Sequence, residues 1–152
     1  MATLATYYRL GMNPSGPIGL KYLNGQTMDG VVNMTAEIGP VYSGTRWVEI
    51  PVRNGGQAIS DVFLMCFGSE QNPKYLFLNA GFGTTPELTS TVTDNGSTTW
   101  IKIGQSSGKF QYQNVYCKNQ GLPSYLTWDG NGNPSLTSEA ENTAWDVDEI
   151  DF

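Results

Sequence analysis

A Thr-x-Trp triplet stands three times in this chain, as TRW ending at Trp47, TTW ending at Trp100 and TAW ending at Trp145. Each is followed by a short run whose last apolar residue is Ile: VEI, IKI and DVDEI. The tryptophans lie 53 and 45 residues apart. A second marker, Tyr-Leu, recurs at Tyr22-Leu23, Tyr75-Leu76 and Tyr125-Leu126, with the tyrosines 53 and 50 apart. A period near fifty residues means one supersecondary unit used repeatedly, no copy of which buries its apolar face alone.

Each unit holds four pieces. An apolar segment and a turn come first, as in TYYRLGMNPSGPIG, DVFLMCFGSEQNP and QNVYCKNQGLP. The Tyr-Leu segment, a Thr- or Val-bearing segment and the Trp segment follow. The pieces run four to eight residues, are rich in Val, Ile, Thr, Tyr and Phe, and are punctuated by Gly, Pro, Asn and Asp. No long window carries an apolar stripe at helical spacing without a breaker, so the pieces read as strands. YLTWDGNGNPSL reads as a hairpin, because Asn-Gly adopts positive φ at little cost. Twelve short strands in three units predict an all-β chain, specifically a β-trefoil: a six-stranded barrel plus a hairpin cap. The expected organisation is a single domain over residues 1–152, with repeats at about 1–56, 57–107 and 108–152. Trp47, Trp100 and Trp145 are then one core position used three times, and the Tyr-Leu pairs a second layer. Thr45, Thr98 and Thr143 suit the start of a strand, where a hydroxyl satisfies a local backbone group.

Composition narrows the function. The chain has no His, which removes the commonest general base and metal ligand. No Gly-rich loop precedes a helix to cradle phosphate. The expectation is a protein without catalytic residues, metal or cofactor. Cys66 and Cys117 sit at comparable points of FLMCF and NVYCK and read as buried free thiols. A net charge of −6, without a Lys/Arg cluster, argues against nucleic acid. The acidic WDVDEIDF run reads as a final strand with solvated faces. No apolar run is long enough to span a membrane, and MATLATYYRL lacks the regions of a leader peptide. A cytoplasmic protein is expected, or one already processed or released by another route.

The Thr-x-Trp repeats resemble the Gln-x-Trp repeats of the ricin-B-type lectins, with Thr in place of Gln all three times. That resemblance spans nearly the whole chain and implies a β-trefoil that binds glycans or glycoproteins. In the family pattern a carboxylate follows the second strand of a repeat and an Asn precedes Gln-x-Trp. Repeat three keeps both, as Asp129 after SYLTW and Asn142 before TAW. Asn131, Asn133 and Trp128 complete this candidate site, with Trp128 placed opposite Thr127 and expected to be partly exposed. Ser138 and Glu139 stand where the family carries an aromatic. The alternative for WDGNGN is plain turn chemistry. Weaker sets are Gln26, Asp29 and Asn33 in repeat one and Asn79 and Phe82 in repeat two. Repeats one and two lack the acid, having Asn24 and Asn79 near its place and Ser43-Gly44 and Ser97 near that of Asn142.

A second, local resemblance covers the first third. YRLGMNPSGPIGLKY, with TAEIGP and TRW downstream, is similar to the mycocypins, mushroom β-trefoils that inhibit papain-like cysteine proteases. It implies fungal defence and an inhibitory loop at Asn13, Pro14, Ser15, Gly16 and Pro17, continuing to Gly19. Two prolines limit the freedom of such a loop and its glycines let backbone approach a narrow cleft. A serine protease would instead want a basic residue, and Arg53 in PVRNGG is the best placed. Glycans or a protease are thus the expected partners, and a homodimer is compatible with either.

Overall fold

The computed structural model describes residues 7–13, 21–25, 30–36, 43–54, 57–66, 77–80, 85–128 and 133–150. Twelve strands lie among them: β1 (Tyr7–Met12), β2 (Lys21–Asn24), β3 (Asn33–Thr35), β4 (Trp47–Asn54), β5 (Gln57–Cys66), β6 (Phe77–Asn79), β7 (Glu87–Thr89), β8 (Thr99–Gly104), β9 (Phe110–Asn114), β10 (Tyr125–Trp128), β11 (Pro134–Thr137) and β12 (Asp146–Ile150). The chain is all-β and its strand pairs are antiparallel.

Six strands pair in succession: β1 with β4, β4 with β5, β5 with β8, and β8 with β9. Phe110 in β9 bridges Trp145, the residue before β12, and β12 pairs back onto β1. The other six form the hairpins β2–β3, β6–β7 and β10–β11. These hang from β1, β5 and β9 through Gly11↔Tyr22, Met65↔Phe77 and Tyr125↔Gln113.

The recurring tryptophan has a physical reason. Trp47, Trp100 and Trp145 are fully buried. A buried indole N–H needs an acceptor. Each finds the same one: Trp47 Nε1 donates to Leu23 O, Trp100 Nε1 to Leu78 O and Trp145 Nε1 to Leu126 O, all at 3.0 Å. Each bond joins the last strand of a unit to that unit's hairpin. Those leucines pair across the hairpins with Met34, Leu88 and Leu136, all buried.

This geometry corrects the sequence register in unit two. Phe77-Leu78, not Tyr75-Leu76, occupies the place of Tyr22-Leu23 and Tyr125-Leu126. KYLFL offers two aromatic-Leu pairs two residues apart, and a shift of two leaves every side chain on its original face. Tyr75 and Leu76 lie outside the described residues.

The cysteine expectation is also half corrected. Both thiols are free and buried, but they are not equivalent. Trp47 faces Cys66 across the sheet, and Trp100 faces Asn114. Asn114 is therefore the counterpart of Cys66. After it the chain turns into a one-turn helix, α1 (Val115–Asn119), which carries Cys117. The Asn114 side chain ends the strand by capping that helix, accepting from Cys117 N at 3.1 Å. The terminal acidic run does form a strand, β12, with Asp148 and Glu149 exposed.

Candidate functional site

Repeat three holds the strongest sequence candidates. Trp128 pairs with Pro134 at the end of the β10–β11 ladder. Asp129 and Asn131 lie outside the described residues, and Asn133 is exposed at the foot of the turn. Trp128 is not partly exposed as expected but buried, at 1% exposure. It does lie opposite Thr127. That side, shared with Leu126, is the core side rather than the solvent side. Its Nε1 has no hydrogen-bond partner. Its ring carries the Lys21 ammonium 5.6 Å from the centroid.

Asn142 is exposed and has φ of 60°, the one positive value outside glycine among the described residues. Asn tolerates this left-handed conformation better than most residues. The turn it belongs to is braced from β9. Gln111 Nε2 donates to Ala140 O at 2.6 Å and to Thr143 Oγ1 at 3.0 Å, while Thr143 Oγ1 donates to Ala140 O at 2.6 Å. In unit two the Thr98 hydroxyl also satisfies a local backbone group, but as an acceptor, from Thr93 N at 3.0 Å. Two residues past Thr143, the Trp145 indole ties this segment to Leu126 in the hairpin that carries Asp129 and Asn131.

The weaker sets are spent differently. Asn24 Nδ2 donates to Asn33 Oδ1 at 2.8 Å, a cross-strand pair inside the β2–β3 hairpin. Asn79 is 9% exposed, with Oδ1 unpartnered, and faces the exposed Glu87 across β6–β7. Gln26, Asp29 and Phe82 lie outside the described residues.

Of the inhibitory loop, Asn13 is exposed, and Pro14, Ser15, Gly16 and Pro17 lie outside the described residues. Its stem is closed by the pair Met12↔Lys21. That stem abuts the repeat-three hairpin: Lys21 stands over Trp128, and Thr127 Oγ1 approaches Met12 Sδ at 3.9 Å. The two segments that the sequence singled out for different functions therefore spring from touching strand ends. The tryptophan and lysine that meet there are 107 positions apart in number, and no sequence pattern linked them.

Arg53 is placed differently from expectation. Arg53 pairs with Ala58 and Asn54 with Gln57, so the Arg53 backbone is strand rather than loop. A register shift between Pro51 and Arg53 bends this hairpin.

One further cluster was not anticipated. Glu49, two residues past Trp47, accepts from Lys102 Nζ at 2.8 Å and from Tyr112 OH at 2.6 Å. Lys102 also stands over the rings of Phe110 and Tyr8, at 4.3 and 5.5 Å. Burial first, then the Glu49 charge, pushes the Tyr112 hydroxyl far above its ordinary value, so it stays protonated at any physiological pH. The signal lay in the repeat: the position two after each tryptophan reads Glu49, Lys102 and Val147. Among the described residues no group of three or more His, Cys, Asp or Glu could hold a metal ion. No described helix is long and apolar enough to cross a membrane.

No family model and no curated protein sequence matches the chain. Among solved structures it is similar to the crystal structure of Cry35Ab1, with a TM-score of 0.69 at 13% identity. The match covers 99% of this chain and 37% of that one. The likeness is one of fold, and this chain spans little more than a third of the longer protein.

Proposed function

We propose that the chain is a single β-trefoil domain of three four-stranded units that binds carbohydrate and catalyses no reaction. The successive pairing of β1, β4, β5, β8, β9 and β12 supports a six-stranded barrel, and the three hairpins support its cap. The observation that carries the functional reading is the Trp145 Nε1 to Leu126 O bond. It couples the braced turn bearing the exposed Asn142 to the hairpin bearing Asp129, Asn131 and Asn133. A sugar's vicinal hydroxyls need such a mixture of carboxylate and amide groups held by rigid neighbours. Trp128, being buried at the end of β10, serves as core packing and not as a stacking face.

A second reading rests on the stem of residues 13–20. Met12 and Lys21 are paired, and both are held against β10. A Gly-Pro loop on so fixed a base suits insertion into a papain-like cleft. Arg53 suits a serine-protease contact less well, because its backbone is engaged in a strand pair.

A broad glycan array, probed with the wild type and Asp129→Ala, tests the main reading. Selective binding that the variant loses supports a lectin with its site in repeat three. Silence of the wild type on every glycan contradicts it, and papain and trypsin inhibition assays then decide the second reading.

A further inference from the structure

The sequence contains four Asn-Gly pairs, at 24–25, 54–55, 95–96 and 131–132. In this dipeptide the side-chain amide can react with the following backbone nitrogen, since glycine presents no Cβ to hinder the approach. Two of the pairs are fully described, and their surroundings are opposite. Asn24 is 7% exposed, and its Nδ2 is committed to Asn33. The nitrogen that would have to attack, Gly25 N, is buried and donates to Gly44 O at 2.9 Å. Asn95 is exposed. Its Oδ1 accepts from Ser97 N at 3.0 Å, which draws electron density from the amide carbon. Among the described residues no hydrogen bond engages Gly96 N.

We propose that Asn95 is a site of spontaneous modification, deamidating through a cyclic imide with Gly96. Gly96 N gives up its proton and bonds to Asn95 Cγ. The Cγ–Nδ2 bond breaks, and Nδ2 leaves as ammonia with that proton. Water then opens the ring. Attack at Cγ leaves an ordinary aspartyl residue at position 95, and attack at the main-chain carbonyl carbon leaves an isoaspartyl one. Water is the only co-reactant.

The position matters because the next two residues tie three elements together. Gly96 O accepts from Thr99 N at 3.1 Å and from Tyr116 N at 3.2 Å. Ser97 O accepts from Ala80 N at 2.9 Å and from Asn114 Nδ2 at 2.9 Å. The end of β6, helix α1 and the start of β8 therefore meet on this segment. An isoaspartyl link lengthens the main chain by one methylene immediately before it and moves the carbonyl that held Ser97 N from the side chain into the main chain. It also sets a new carboxylate beside Asp94. The conversion loosens unit two from within, a change independent of the carbohydrate reading in unit three.

The test is incubation of the full chain in mildly alkaline buffer, with peptide mapping by mass spectrometry and an isoaspartyl assay. The expected result is a gain of about 1 Da at Asn95, faster with rising pH. It should be at least about tenfold faster than at Asn24, whose reaction waits on local opening. Asn95→Gln should abolish that signal while Asn24 behaves as before. In converted protein, amide exchange at Ala80, Thr99 and Tyr116 should speed up. Reaction at Asn95 no faster than at Asn24 would overturn the site. Conversion without faster exchange at those three amides would overturn its structural consequence.

Discussion

Lys102→Met is the perturbation that best separates a structural ion pair from a decorative one. The Lys102 and Glu49 side chains are 21% and 11% exposed, so both are largely withdrawn from water. Removing the ammonium leaves the Glu49 carboxylate accepting from the Tyr112 hydroxyl. Breaking a fully buried pair from one side costs about 3–5 kcal/mol, and an exposed pair is worth about 0–1. Partial exposure puts the loss here at about 2 kcal/mol. The repeat suggests the compensating change. Val147 fills the third equivalent position, so an apolar pair is compatible with this layer. Glu49→Leu with Lys102→Met and Tyr112→Phe removes all three polar groups together and should recover most of the loss, because no charge remains buried. Urea unfolding of the single, double and triple variants gives the coupling through a double-mutant cycle, provided the slope stays constant. A Lys102→Met variant within about 0.5 kcal/mol of wild type would refute the reasoning, since the pair would then behave as a screened surface contact.

Other outcomes follow from the same geometry. Trp47→Phe, Trp100→Phe and Trp145→Phe should each cost about 2–4 kcal/mol in urea unfolding, from an orphaned leucine carbonyl plus lost packing, with similar values because the bond is the same. Asn142→Gly should leave stability nearly unchanged but weaken glycan binding, whereas Asn142→Val should cost about 1–2 kcal/mol because a β-branched residue resists positive φ. Burial, and then the Glu49 charge, hold the Tyr112 hydroxyl above the ordinary tyrosine value of about 10. The unfolded chain therefore ionises this phenol first, and its contribution to stability falls by about 1.4 kcal/mol per pH unit above pH 10. Measured from pH 9 to 11, Tyr112→Phe should show a shallower alkaline decline than wild type.

The strands and the threefold use of Trp were legible because each obeys a local rule: short β-branched runs between breakers, and one indole per unit. The exact partner of Trp100 was not, since Leu76 and Leu78 satisfy the same period-two pattern. Helix α1 was hidden because one Asn cap, not a periodic stripe, ends β9. Trp128 was correctly set opposite Thr127, but which side faced the core depended on Leu126. The contact between Lys21 and Trp128 joins the first unit to the third, and such a long-range meeting leaves no mark in local sequence. Asp129 and Asn131 were chosen for their chemistry, and they lie outside the described residues.

The most direct measurement is a two-dimensional 15N correlation map during titration with a glycan that the array selects. The four indole N–H signals are useful probes, because three are bonded to leucine carbonyls and that of Trp128 is not. The proposal predicts saturable shifts at Asn142, at residues 129–133 and at the Trp145 and Trp128 indoles, with Trp47 and Trp100 unmoved. Shifts confined to units one and two, or none at saturating glycan, would contradict it.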